Sequence, residues 1–140
     1  MFKQLTPAVA VSPQIEVADV ATAAAQGFVC IVNNRPDGEA PDQPAGDAIR
    51  AAAEAAGLRY VAIPVDARGF SQPMVAAMAD ALGSGKTLAY CRSGTRSTNL
   101  WSLASASQGG SITDITSTAA AAGYDVSGLA GAMAQLGGKA

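Results

Sequence analysis

Short apolar runs alternate along this chain with stretches in which apolar residues recur every three or four positions, and that alternation predicts strands separated by helices. Residues 8–11 form a short strand candidate, ended by Ser12-Pro13-Gln14. A helix is expected over 17–26, with Val17, Val20, Ala21 and Ala24 on one face and Gly27 as its C-cap. Phe28-Val29-Cys30-Ile31-Val32 is a continuous apolar run and reads as a central strand buried on both faces. A loop over 33–44, holding Pro36, Gly38 and Pro44, leads to a helix at 45–56 closed by Gly57, then to a strand at 59–65. After the loop Asp66-Ala67-Arg68-Gly69, Pro73 suits the first turn of a helix running to Leu82, with Met74, Val75, Met78 and Leu82 inward. Thr87-Leu88-Ala89-Tyr90 is strand-like, and a helix over 97–107 turns Leu100, Trp101 and Ala104 inward. Gly109-Gly110 breaks the pattern, and two short helices, 112–122 and 126–136, close the chain around Gly123-Tyr124.

This order predicts a single α/β domain over residues 1–140: a three-layer sandwich with a mostly parallel central sheet of about four to five strands flanked by helices. In such folds the ligand site lies at the carboxyl ends of the strands. Three loops leave those ends, at 33–44, 66–71 and 91–96, and they mark the place to look for chemistry.

Composition narrows that chemistry. Hydrophobic residues make up 49% of the 140 and charged residues 14%, which is a chain able to bury a core. A net charge of −2 without Lys/Arg runs argues against nucleic acid as a partner and leaves a small anion facing local positive charge. The chain has no histidine, so Cys-His and Ser-His catalysis and most zinc sites are excluded, and neither metal nor cofactor is expected. No apolar run reaches membrane-spanning length. Cys30 and Cys91 are far apart and no leader pattern is visible, so the expectation is a cytoplasmic setting with both thiols free.

The stretch Tyr90-Cys91-Arg92-Ser93-Gly94-Thr95-Arg96-Ser97 joins a strand to a helix through a loop with a cysteine, a glycine and two arginines. Backbone N–H groups at such a turn can ring an anion, and the positive end of the helix dipole adds to them. Cys91 at its floor should be a nucleophile at neutral pH, with Arg92, Ser93, Gly94, Thr95 and Arg96 forming the anion cradle. Arg96 offers a bidentate fork and Ser97 a hydroxyl for the sulfur. The bland alternative is a core cysteine before a helix with solvated arginines. For Asp66 the choice is between a turn or capping carboxylate and a general acid raised in pKa by burial. Arg35 and Asp37 could reach across the mouth, although Asn-Arg-Pro-Asp-Gly is also a plain turn. Gly85-Lys86-Thr87 is not a nucleotide-binding loop, because Asp80 stands where that motif needs glycine and a strand follows it.

Four stretches carry a family resemblance: Val11-Ser12-Pro13-Gln14, Ile31-Val32-Asn33-Asn34-Arg35-Pro36-Asp37-Gly38-Glu39, Gly57-Leu58-Arg59-Tyr60-Val61-Ala62-Ile63-Pro64-Val65, and Ala89-Tyr90 with the loop after it. Together they resemble the bacterial beta-lactamase-hydrolase-like, phosphatase-like domain family, itself similar to dual-specificity and tyrosine phosphatases of the cysteine class. The resemblance implies a cysteine-phosphatase-like fold, Cys91 as nucleophile, Arg96 as anion-binding arginine, Ser97 as the hydroxyl beside the sulfur, and Asp66 at the place of the general acid. It also implies a metallo-beta-lactamase-like partner protein, since relatives of the family are attached to such domains.

Two departures keep the chemistry open. Cysteine phosphatases place one residue more between Cys and Arg than the four separating Cys91 from Arg96, and Tyr90 stands where they usually have histidine. A four-residue loop resembles that of rhodanese-like sulfurtransferases. The reading is therefore a phosphatase-like hydrolase acting on a phosphate ester through a Cys91 thiophosphate. Its alternatives are a sulfurtransferase taking sulfane sulfur through a Cys91 persulfide, and a non-catalytic anion-binding or regulatory module.

Overall fold

The computed structural model describes residues 2–140. A five-stranded sheet has the order β1-β2-β5-β3-β4, built from β1 (Lys3–Thr6), β2 (Val9–Ser12), β3 (Cys30–Asn33), β4 (Arg59–Ala62) and β5 (Thr87–Tyr90). All its pairings are parallel except β1 with β2. The helices are α1 (Val17–Ala25), α2 (Gly46–Ala55), α3 (Gln72–Leu82), α4 (Thr95–Ser107), α5 (Ile112–Ala121) and α6 (Ala130–Gln135). The expected α/β sandwich with a mostly parallel sheet is what forms.

Period-2 alternation sorts the strands between two layers. Val9, Val11, Cys30, Val32 and Ala89 face α3 to α6, in a cluster with Val75, Met78, Leu100, Trp101 and Ala104. Ile31 and Tyr90 face the other way, onto Val20 of α1 and Ile49 and Ala53 of α2. β5 lies at the centre, bonded to β2 on one side and β3 on the other, with Tyr90 opposite both Ser12 and Asn33. Asn33 in turn lies opposite Ala62, so four parallel strands end at one level where their connections diverge, the crevice in which open α/β sheets bind ligands.

Local departures from the sequence pattern have local causes. β1 is an edge strand whose Lys3 and Gln4 are exposed, so it shows no apolar run to read. Phe28 and Val29 precede β3 and are not part of it. Phe28 is buried edge-on against Phe2, while Val29 is 43% exposed. The strand expected to reach residue 65 pairs only to Ala62, yet Ile63 and Val65 stay buried, with their N–H groups donating to Asn33 O at 2.9 Å and Asn34 O at 3.0 Å. The last expected helix is a 3-10 turn, Ser127–Leu129, followed by α6. Gly128 and Gly131 account for that, since glycine weakens a continuous α-helix.

The core sets the first expected outcome. Leu100 is fully buried between the sheet and the helices packed on α4, so Leu100→Ala should cost about 2–5 kcal/mol. Denaturant unfolding at unchanged slope measures it, and a loss well under that range would show the α4 face less tightly packed than described.

Candidate functional site

The Cys91 loop is an extension of β5. The Cys91 N–H still donates to Ser12 O, at 3.3 Å, before the chain turns away from the sheet. Gly94, at φ 91°, makes the turn, a conformation that an L side chain resists. It aims its own N–H at Cys91 Sγ, 3.1 Å away. α4 then starts at Thr95, two residues earlier than the pattern suggests, so Arg96 and Ser97 belong to its first turn. Among the described residues the backbone N–H groups of Arg92, Ser93, Arg96 and Ser97 have no protein acceptor, as expected of a loop and a helix N-terminus. These donors, the dipole of a 13-residue helix and a buried sulfur form a cradle for negative charge.

Arg96 is held from one side only. Its Nη1 donates to Glu39 Oε2 at 2.7 Å and to Val65 O at 2.8 Å, and its Nη2 donates to Glu39 Oε1 at 2.8 Å. That uses the end of the guanidinium and leaves Nε–H and the second Nη2 hydrogen without an acceptor among the described residues. Those two are parallel donors on one edge, the pair that grips an oxyanion bidentately. Arg35 supports the carboxylate, its Nε donating to Glu39 Oε1 at 2.9 Å and its Nη1 to Gln14 Oε1 at 3.0 Å. The Arg96 fork, with Arg35 behind it, holds the Glu39 carboxyl down at about 2 from the ordinary 4.5.

Other expected residues take different places. The Ser97 hydroxyl donates to Asn34 Oδ1 at 2.8 Å, not to the sulfur, and Asn34 Nδ2 donates in turn to Ile63 O at 3.0 Å. A hydroxyl has one proton to give, so Ser97 ties the helix to the β3 loop and Gly94 supplies the donor to Cys91. Asp66 is not a buried carboxyl of raised pKa. It is exposed, its Oδ2 is 2.8 Å from Arg68 Nη2, its Oδ1 accepts the Arg68 N–H, and Arg68 holds it below the usual carboxylate range. Asp37 accepts the Gly46 N–H at 2.9 Å and so caps α2, beside a cleft of about 110 Å³ that Arg35 and Tyr60 also line. Arg35 is buried and reaches the site through Glu39. Arg92 and Thr95 are exposed on the outer face of the loop, and Ser93 Oγ donates to Thr95 Oγ1 at 3.0 Å. The Tyr90 hydroxyl, just before the cysteine, is buried without a partner among the described residues, and burial pushes the phenol up.

A family profile described as "Beta-lactamase hydrolase-like protein, phosphatase-like domain" covers residues 1–110. The chain belongs to that family. The beta-lactamase hydrolase-like protein of Agrobacterium fabrum is 39% identical over 107 residues, a match covering 71% of this chain and 23% of that protein, so the chain spans less than a quarter of its curated relative. A candidate phosphatase from Neisseria meningitidis has a solved structure that superposes with a TM-score of 0.79 at 31% identity, covering 96% of each chain. Tk-PTP in its active form superposes at 0.73 with 18% identity over 96% of this chain and 93% of that one, which shows a shared fold.

Glu39, Asn34 and Tyr124, which bond to Arg96, to the Ser97 hydroxyl and to the Ser93 carbonyl, were not singled out by sequence reasoning. Glu39 lies 57 positions from Arg96, in a turn whose composition signals only a turn. Nothing in the spacing pairs them, although the Ile31 to Glu39 stretch did carry the resemblance.

Two expected outcomes follow from this geometry. Cys30 sits in the sheet interior, where burial pushes its thiol up, whereas Cys91 Sγ accepts the Gly94 N–H and lies near the Arg96 guanidinium. Iodoacetamide should therefore label Cys91 first near neutral pH, and phosphate should protect it. Equal labelling of both thiols in the folded protein would contradict the cradle. Because the Glu39 carboxyl is depressed in the folded state, its contribution to stability is complete above about pH 4.5 and is lost as pH falls toward 2. Melting temperatures from pH 5 to 2.5 should fall less in Glu39→Gln than in the parent; parallel curves would show that the ion pair does not stabilise the fold.

Proposed function

We propose that this phosphatase-like domain hydrolyses a small phosphate ester through Cys91. The observation that carries this reading is the Gly94 N–H on Cys91 Sγ, together with the N–H groups of Arg92, Ser93, Arg96 and Ser97 in the same turn, which have no acceptor among the described residues. The sulfur attacks phosphorus and an S–P bond forms as the ester P–O bond breaks, with the leaving alcohol taking a proton. Water then cleaves the S–P bond, releasing phosphate and restoring the cysteine. The N–H groups and Arg96 hold the phosphoryl oxygens as charge gathers on them, the kind of preorganised stabilisation that dominates such reactions. Glu39 keeps the guanidinium edge aimed, and Ser97 keeps α4 fixed to the β3 loop.

Asp66 is the proposed proton donor to the leaving oxygen. Arg68 keeps it ionised at rest, so the Asp66–Arg68 pair has to open when substrate binds. The four-residue spacing favours a second reading, sulfur transfer through a Cys91 persulfide, in which a smaller ring holds a single sulfur and no acid is needed. The metallo-beta-lactamase-like partner is proposed on the resemblance alone.

Steady-state hydrolysis separates these readings. Cys91→Ser should abolish turnover. Asp66→Asn should slow an alkyl phosphate by about 10²- to 10⁴-fold while sparing an ester with an activated leaving group. Arg68→Ala removes the charge that depresses Asp66, so the protonated acid survives to higher pH and the alkaline limb of kcat should move up. Sulfur transfer from thiosulfate to cyanide that is indifferent to Asp66→Asn, with no hydrolysis of any phosphate ester, would replace the first reading by the second.

A further inference from the structure

The family profile ends at residue 110, yet the Cys91 loop is touched by a residue well beyond it. Tyr124 follows α5, after Gly123 at φ 96°, and its N–H donates to Ala119 O at 2.9 Å. Its ring is buried, with Lys3 Nζ of β1 4.9 Å from the ring centroid, and its hydroxyl donates to Ser93 O at 2.9 Å. That carbonyl belongs to the same peptide unit as the Gly94 N–H. In a trans peptide C=O and N–H point in opposite directions, so a hydrogen bond fixing the oxygen outward fixes the N–H inward. The inward N–H is the one 3.1 Å from Cys91 Sγ. Gly94 is needed here twice over: for its positive φ, and because a Cβ would run into Tyr124 Oη.

We propose that Tyr124 is a positioning residue for Cys91, acting through the Ser93–Gly94 peptide. Its O–H polarises and orients that unit so that the Gly94 N–H supports negative charge on the sulfur, and the segment after residue 110 is thereby part of the site. The inference rests on the reading of Cys91 as the reacting atom, but it does not require phosphatase turnover.

The test is Tyr124→Phe, which removes the hydroxyl and keeps the ring. Second-order labelling of Cys91 by iodoacetamide is followed at one pH by peptide mass, with Cys30 as internal reference and near-UV circular dichroism confirming the fold. Loss of one such hydrogen bond should slow Cys91 about two- to tenfold while Cys30 is unchanged. A tyrosine that only packs against the loop would leave the Cys91 rate as it was, or raise it by uncovering the sulfur, and either result overturns the proposal. A parent that hydrolyses no phosphate ester would defeat the proposed function and leave this comparison intact.

Discussion

The double pairing of β5 is the constraint on which the rest of the structure depends. Because Tyr90 is in register with both Ser12 and Asn33, and Asn33 with Ala62, four chain segments leave the sheet at one level and side by side. Each site contact is made within a few residues of such an exit. Gln14 takes Arg35, Asn34 takes Ser97, and the Val65 carbonyl takes Arg96. The sheet is rigid because its central strands are buried on both faces, so these partners meet without ordering a long loop. Where a loop is longer, it is tied to itself: Gln43 accepts the Glu39 N–H and donates to Pro36 O, which holds the Glu39 carboxylate where Arg96 needs it.

The electrostatics follow from what those exits bring together. A buried arginine and a partly buried one share a single carboxylate, and Glu39 stays ionised because both guanidiniums contact it. Glu39 thus meets two guanidiniums with a single carboxylate. Behind the loop, Tyr90 adds no charge. With burial pushing the phenol up, it is neutral at any physiological pH, so the sulfur faces N–H dipoles and Arg96, with no imidazolium nearby. An unpartnered buried hydroxyl ordinarily costs about 1–3 kcal/mol, a local expense at the end of the central strand.

Much of this was legible in the sequence, for a physical reason. Strands such as Ile31-Val32 and helices such as Val75 to Met78 announce themselves through burial, and burial imposes a period. The turn at Cys91 was legible because Gly94 permits a left-handed turn between a strand and a helix. β1 was not, since an exposed edge strand shows no apolar pattern. Asp66 lies in the loop after β4 that the sequence marked, and its neighbour Arg68, two residues on, decides its charge state. Glu39 and Tyr124 were hidden because their partners are distant in sequence, and only the folded register brings them to the loop.

The early start of α4 bears on the short loop. With four residues between Cys91 and Arg96, the loop proper has few N–H groups to offer, and the Gly94 donor is already spent on the sulfur. Starting the helix at Thr95 brings Arg96 and Ser97 into its first turn, where their N–H groups have no intrahelical partner and point out along the axis. The helix end thus adds two N–H groups to those of Arg92 and Ser93, all four without an acceptor among the described residues. An anion bound there would sit on the dipole axis, and the guanidinium edge of Arg96, from the same turn, would reach it from the side. The field of the helix dipole is therefore strongest at the turn where the loop is one residue short.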